Sequence, residues 1–125
     1  MTMPSFLFVQ NQTRPLTSPA KVKSCETFVC RLRGLMFRSH LAPDEGLLLV
    51  ESGDSRLNAA IHMLFVGFDL AVIWINSDMV VVDKVLARSW QPAYTPRQAA
   101  RYILEIHPSR LEEYQIGDRV KFQNA

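Results

Sequence analysis

Ile61-His62-Met63-Leu64-Phe65-Val66-Gly67-Phe68-Asp69-Leu70-Ala71-Val72-Ile73-Trp74-Ile75-Asn76 is the longest apolar run in the chain, and its reading decides the fold. A membrane-spanning helix needs ~20 consecutive apolar residues. This run carries His62, Gly67 and Asp69 and stops at Asn76, so no membrane span is expected. The β-branched Val66, Val72, Ile73 and Ile75 and the aromatic Phe65, Phe68 and Trp74 favour strand over buried helix. Gly67 divides the run into two strands, near Ile61–Phe65 and Leu70–Ile75. Neither piece alternates apolar with polar residues, which is the pattern of central strands covered on both faces.

Downstream, Asn76-Ser77-Asp78 is a polar link, and Met79-Val80-Val81-Val82-Asp83 returns as a strand running on to Leu86, which predicts a hairpin. Upstream, Gly46–Val50 reads as a short buried strand and Glu51–Ser55 as a loop. Phe6–Gln10 is a first strand, and Asn11–Pro15 is a turn. An extended piece covers Ala20–Ser24. A short helix then opens at Ser24 or Cys25, with Phe28 and Leu32 on one face and Gly34 at its end. Ser89–Pro96 is too rich in proline for a regular element and packs its aromatics over a core edge. Arg101–Ile106 alternates, with Tyr102, Leu104 and Ile106 on one face. Ser109 caps a short helix over Arg110–Tyr114, with Glu112 placed for a capping box, and Val120–Phe122 is the last strand. The expected fold class is α+β, mainly β. It is a single domain over residues 1–125, with a curled antiparallel sheet or partly open barrel of about seven short strands and two short helices.

Composition agrees with that architecture. A chain of 125 residues with 48% hydrophobic content can build one core without staples, and 21% charge is too little for a disordered segment. Met1–Gln10 has neither the basic start nor the apolar stretch of a signal peptide, so a cytoplasmic location is expected. In a reducing cytosol Cys25 and Cys30 are then free thiols. Five residues apart, they stand about 140° from each other on a helix, which is poor for joint metal binding. No metal and no cofactor is expected.

The net charge of +2 is uneven. Residues 1–40 hold Arg14, Lys21, Lys23, Arg31, Arg33 and Arg38 against Glu26 alone, and residues 41–125 hold more acids than bases. The basic segment 14–38 could contact the phosphates of a nucleic acid. No nucleic-acid motif accompanies the charge, so a solvated face is the better reading.

Several segments, taken in order, resemble one family. They are Arg31-Leu32-Arg33-Gly34-Leu35-Met36-Phe37-Arg38, Glu45-Gly46-Leu47-Leu48-Leu49, the block Ile61–Asn76, Ala100-Arg101-Tyr102-Ile103-Leu104-Glu105, and Gly117-Asp118-Arg119-Val120. Together they are similar to domain-of-unknown-function family 192, small bacterial and archaeal proteins without an assigned activity, over roughly residues 20–122. The resemblance implies a compact, β-rich single domain and no particular reaction. In the central block the family aspartate falls on Ala71 and the family proline on Asp69, and Asn76 stands where aspartate is common. A mechanism that needed those two carboxylates would be impaired in this chain.

Among chemical groups, His62 is the only serious catalytic candidate, since an imidazole can serve as acid, base or ligand near neutral pH. A catalytic histidine needs an orienting partner, and Asp69 is the one at hand. Cys25 and Cys30 lie near Arg31 and Arg33, but neither is a convincing nucleophile. Ser55 and Ser89 lack the glycine frame of a nucleophile elbow, and there is no phosphate loop or dinucleotide fingerprint. Arg33, Arg38, Arg56, Arg88 and Arg101 carry forks that suit an anion. Trp90 and Tyr94, in the proline-rich loop, are placed for an exposed or pocket-lining role. The favoured reading is a small binding or accessory domain whose ligand, an unknown small molecule or protein, meets His62, Arg33, Arg38, Trp90 and Tyr94. The alternatives are an enzyme using His62 and nucleic-acid contact through segment 14–38.

Overall fold

The computed structural model describes residues 5–125, so the reading of Met1–Pro4 lies outside the described residues. Seven strands form one curled, mixed sheet: β1 (Phe6–Asn11), β2 (Lys21–Cys25), β3 (Glu45–Ser55), β4 (Leu70–Ile75), β5 (Val81–Ala87), β6 (Ala100–Ile106) and β7 (Val120–Asn124). Two short helices accompany them, α1 (Phe28–Arg33) and a 3-10 helix, α2 (Pro108–Glu113). The order across the sheet is β5-β4-β6-β3-β2-β1-β7. Val80 bridges to Arg119, so the sheet's outer strands approach each other at one end and the sheet is a half-barrel. The expected mainly-β, single-domain class holds.

Both faces of the sheet are covered, which is why its central strands show no polar alternation. All six residues of β4 are buried. Leu70, Val72 and Trp74 face one cluster with Leu47, Leu49 and Ile103. Ala71, Ile73 and Ile75 face the other with Leu48, Leu104 and Tyr114. Fully burying a large apolar side chain stabilises a fold by roughly 1.5–3 kcal/mol. Trp74 adds a hydrogen bond from its indole Nε1 to the Ala59 carbonyl at 2.8 Å. Opposite the first cluster lie α1 and the loops on either side of Ile61; α2 packs with the second.

Four expectations are corrected. First, Ile61–Phe65 is not a strand: Ile61 forms one isolated bridge with Tyr94, by backbone hydrogen bonds of 2.9 Å in each direction, and the Met63 N–H and carbonyl bond the backbone of Gln91 (2.8 Å) and Trp90 (2.9 Å) without extending a ladder. Second, Glu51–Ser55 is not a loop but the continuation of β3, with a register shift before Ser55. Third, the sheet is not wholly antiparallel, because β2 and β3 run parallel. Their link spans residues 26–44 and contains α1, long enough for the crossover that parallel pairing needs. Fourth, Cys25 and Cys30 are joined in a disulfide. The 140° separation assumed one helix, but Cys25 ends β2 and α1 begins at Phe28, which brings the two Cα atoms to 5.6 Å. The second helix also starts earlier than expected. Pro108 opens it, and the His107 ring, rather than a Glu112 capping box, accepts the Ser109 N–H.

Candidate functional site

The site is built around α1. Thr27 caps this helix, its hydroxyl accepting the Cys30 N–H at 3.1 Å. No residue of α1 is buried, so packing alone does not hold it. Covalent and polar ties do. Cys30 is bonded to the buried Cys25. Arg31 pairs through Nε with Glu51 Oε1 at 3.1 Å and donates to the carbonyls of Val50 (3.2 Å) and Glu26. At its C-terminal end the chain turns through Gly34 with φ 49°, a left-handed value that L side chains rarely adopt.

Beneath α1 lies a cavity of about 380 Å³, at the small end of the range for small-molecule sites. Its apolar wall includes Leu35, Leu49, Ile61, Val66 and Ile103. Its polar members include Arg31, Arg33, Glu51, His62 and Glu105. Glu105 stands on β6 opposite Leu47 of β3 and Val72 of β4, and it is only 4% exposed. Its Oε1 has no hydrogen-bond partner among the described residues. A β-carbon placed on Gly34 would lie 3.6 Å from that oxygen, so the glycine turn sits directly over the carboxyl. Burial pushes the Glu105 carboxyl up from 4.5 to about 7. It therefore exchanges its proton near neutral pH, where it can donate when protonated and accept when ionised.

His62 lines the same cavity, but its ring is committed. Nδ1 accepts the Leu64 N–H at 3.2 Å, which leaves Nε2 to carry the proton and donate to the Leu32 carbonyl at 3.1 Å. The Nε2 bond ties the loop after Ile61 to α1, and the Nδ1 bond fixes the ring within that loop. Asp69 is not its partner: Asp69 accepts the Ser89 N–H at 2.9 Å and pairs with Arg88 at 3.0 Å. The Ser89 N–H, and after it Arg88, hold the Asp69 carboxyl below its usual range despite some burial.

The other sequence-predicted residues scatter. Arg33 lines the cavity with an exposed side chain. Arg38 pairs with Glu45 at 3.1 Å, away from the lining. Trp90 is 55% exposed and outside the lining. Its ring meets Phe65 at 5.0 Å, and Phe65 meets Phe37 at 5.2 Å. Phe37, Phe65 and Trp90 all have φ between 63° and 67°, uncommon values for bulky residues. Tyr94 is outside the lining too; it fastens the loop, its hydroxyl accepting the Arg88 N–H at 2.9 Å. Ala71 is sealed in the second cluster, and Asn76 Oδ1 caps the hairpin turn by accepting the N–H groups of Asp78 and Val80. Neither family-aspartate position reaches the cavity lining. Among the described residues no group of three or more metal-ligating side chains converges.

Glu105, Glu51 and Arg31 were not singled out from the sequence. The signal for Glu105 was present. In an alternating strand it shares a face with Ile103, and a strand with apolar residues on both faces is covered on both.

The family model of DUF192, described as "Uncharacterized ACR", matches residues 9–122. A UPF0127 protein of Thermococcus kodakarensis is 38% identical over 114 residues, covering 90% of this chain and 71% of that protein. A UPF0127 protein of Pyrococcus horikoshii is 32% identical over 117 residues, covering 91% of this chain and 97% of that protein. Among solved structures, a Sinorhizobium meliloti protein described as a candidate transcription regulator superposes with a TM-score of 0.82 at 20% identity, covering 96% of this chain and 94% of that one. A Novosphingobium aromaticivorans protein of unknown function superposes at 0.78 and 18% identity, covering 94% and 84%. Identities this low speak for the shared fold alone. With a family match across nearly its whole length and relatives above 30% identity, the chain belongs to the DUF192 family.

Proposed function

We propose that this protein is a binding domain that takes a small molecule into the cavity beneath α1, with Glu105 as its anchoring group. The observation that carries the reading is a carboxyl 4% exposed, on the cavity wall, with one oxygen left without a partner. An unsatisfied buried polar group costs about 1–3 kcal/mol. A ligand that supplies the missing hydrogen bond recovers that cost on binding. His62 serves this site as a wall and a tie rather than as a base, since both its nitrogens are engaged. Contact with nucleic acid through segment 14–38 finds less support. Arg14, Arg31 and Arg38 are each paired with a carboxylate, which removes half of the segment's six positive charges from a phosphate-binding surface. Among the described residues no helix is long and apolar enough to cross a membrane. A cytoplasmic site of action remains a proposal from the sequence, and the Cys25–Cys30 bridge weighs against it.

The test is a titration of the isotope-labelled protein with 3-phenylpropan-1-ol, followed by amide NMR. Saturable shifts at Leu35, Ile61 and Ile103, lost in an Ala60→Phe variant that fills the cavity from its wall, are expected. Shifts that persist in the filled variant, or no saturable shift at those residues with this alcohol or with charged probes of the same skeleton, would overturn the reading.

A further inference from the structure

We infer that the ligand class is an apolar molecule ending in a cationic nitrogen, an amine or amidine, whose N–H groups meet Glu105. This rests on the binding reading above and adds the ligand's charge to it. The polar groups around the cavity divide into committed and uncommitted. Arg31 is held by Glu51 and by two carbonyls. Both nitrogens of His62 are bonded to backbone. Glu51 is the partner of Arg31. Arg33 is exposed at the rim, where solvent screens it. The buried group left without a partner is an acceptor when ionised, and no ion pair satisfies it among the described residues.

A cation meets that group best. It supplies N–H donors, and it compensates a charge that burial otherwise penalises. The buried part of the wall is aliphatic, with Leu35, Leu49, Ile61, Val66 and Ile103, and takes an apolar body, while the exposed Ser52 and Asn58 add polar groups to the lining. Phe28 and Leu32, 70% and 55% exposed, extend that apolar surface to the mouth. An anion would face the opposite situation. It would have to sit against Glu105 in its protonated form and draw its only available cation from the exposed Arg33.

Binding of a cation selects the ionised carboxyl, so it carries a pH signature. With Glu105 at about 7, the ionised fraction rises about 30-fold between pH 5.5 and 8.5. The ionisable groups that share the cavity lining with Glu105 are Arg31 and Arg33 from α1, Glu51 from β3 and His62 from the loop after β3; β4 contributes apolar side chains only. His62 lines the same cavity, so it needs its own control.

The experiment compares three probes of one skeleton by amide NMR titration: 3-phenylpropylamine, 3-phenylpropan-1-ol and 3-phenylpropanoate. The amine is expected to bind tightest at pH 8.5 and to weaken about 30-fold at pH 5.5. Glu105→Gln should abolish that pH dependence and cut amine affinity at pH 8.5 at least about tenfold, while leaving the alcohol unchanged. His62→Asn should keep the pH dependence. Should Glu105→Gln fail to fold, Glu105→Leu serves in its place. Tighter binding of the propanoate, amine affinity unchanged by the Glu105 variants, or a pH dependence removed by His62→Asn instead would each refute the cationic class while leaving a binding cavity in place. Silence from all three probes would refute the binding reading itself.

Discussion

Glu105→Gln isolates the cost of burying a carboxyl without an ion-pair partner among the described residues. In the unfolded chain this carboxyl titrates near its ordinary 4.5, and in the folded chain burial raises it to about 7. Between those values the folded protein holds a proton that the unfolded chain has released. The unfolded state therefore binds fewer protons, and stability falls as pH rises. The penalty is absent below pH 4.5, grows through the interval and is complete above about pH 7. At 1.36 kcal/mol per pH unit it reaches about 3 kcal/mol. The assay is urea unfolding of wild type and variant at intervals from pH 4.5 to 8. Other groups titrate in both proteins, so the difference between the two curves reports Glu105 alone. The variant's advantage should widen by about 3 kcal/mol from the acid end to pH 7.5, a relative midpoint shift of about 1.5 M urea at a slope near 2 kcal/mol/M. A stability difference that stays constant across this range would show that the carboxyl is not desolvated in the folded state. A variant less stable than wild type at pH 7.5 would show instead that the ionised form has a favourable partner.

The other predictions concern the ties that frame the sheet. Burial alone would raise the Asp118 carboxyl, but hydrogen bonds from Arg14, Asn11 and the Gln115 N–H outweigh it and bring it to about 2. Its contribution is thus present above pH ~4 and lost as pH falls through about 2, so Asp118→Asn should lower stability at pH 7 by about 1–3 kcal/mol and flatten the acid limb of the unfolding curve. Tyr114 is buried with its hydroxyl unpartnered among the described residues, and Tyr114→Phe should keep or raise the melting temperature; a drop would reveal a hydrogen bond to that hydroxyl. Reducing the Cys25–Cys30 bridge releases a short loop worth about 2 kcal/mol of chain entropy. It should raise hydrogen exchange in α1 well before the sheet, and uniform exchange across both would contradict the helix's dependence on that bond.

Much of the sheet was legible because strand-forming residues flank polar turns. Leu70–Ile75 forms β4 over the expected bounds, and its hairpin turn is closed by Asn76, a residue type that favours turns. Ile61–Phe65 misled because it is as apolar as a strand, yet only Ile61 and Met63 are buried, Leu64 and Phe65 are exposed, and its backbone bonds go to the loop Trp90–Tyr94 instead of to a ladder. Glu51–Ser55 misled in the opposite direction: polar residues, a glycine and an aspartate read as a loop, but backbone pairing with β6 resumes at Ser55. The disulfide was hidden by assigning both cysteines to one element, since a pair five residues apart comes close only when the chain changes direction between them. Of the candidate site, His62 and Arg33 were found as chemically capable side chains and both line the cavity. Glu105 was passed over although Ile103 shares its face: a charged residue in an alternating strand reads as solvent-facing until the element over it is known, and Gly34 at the end of α1 lies over it from more than seventy residues away in the chain.

Local costs in this fold gather on one side of the sheet. Three of the four left-handed, non-glycine residues, Phe37, Phe65 and Trp90, lie in one aromatic stack, and Phe37 and Phe65 are chain neighbours of the cavity residues Met36 and Val66. The partnerless Glu105 sits on the wall of that same cavity. Each strained backbone costs on the order of 1–3 kcal/mol, and the carboxyl adds a similar amount above neutral pH. Against a total stability of about 5–15 kcal/mol for a domain of this kind, such costs are large. A sequence shaped only for stability would carry leucine at position 105, which fits β6 and its covered face. Departures of this kind concentrate where a fold does something other than hold itself together. Here they converge on a six-residue helix with no buried residue, tied down by a disulfide, an ion pair and a histidine. A ligand that satisfied Glu105 would therefore stabilise the protein by more than its contact area implies, because it would also offset the desolvation of that carboxyl.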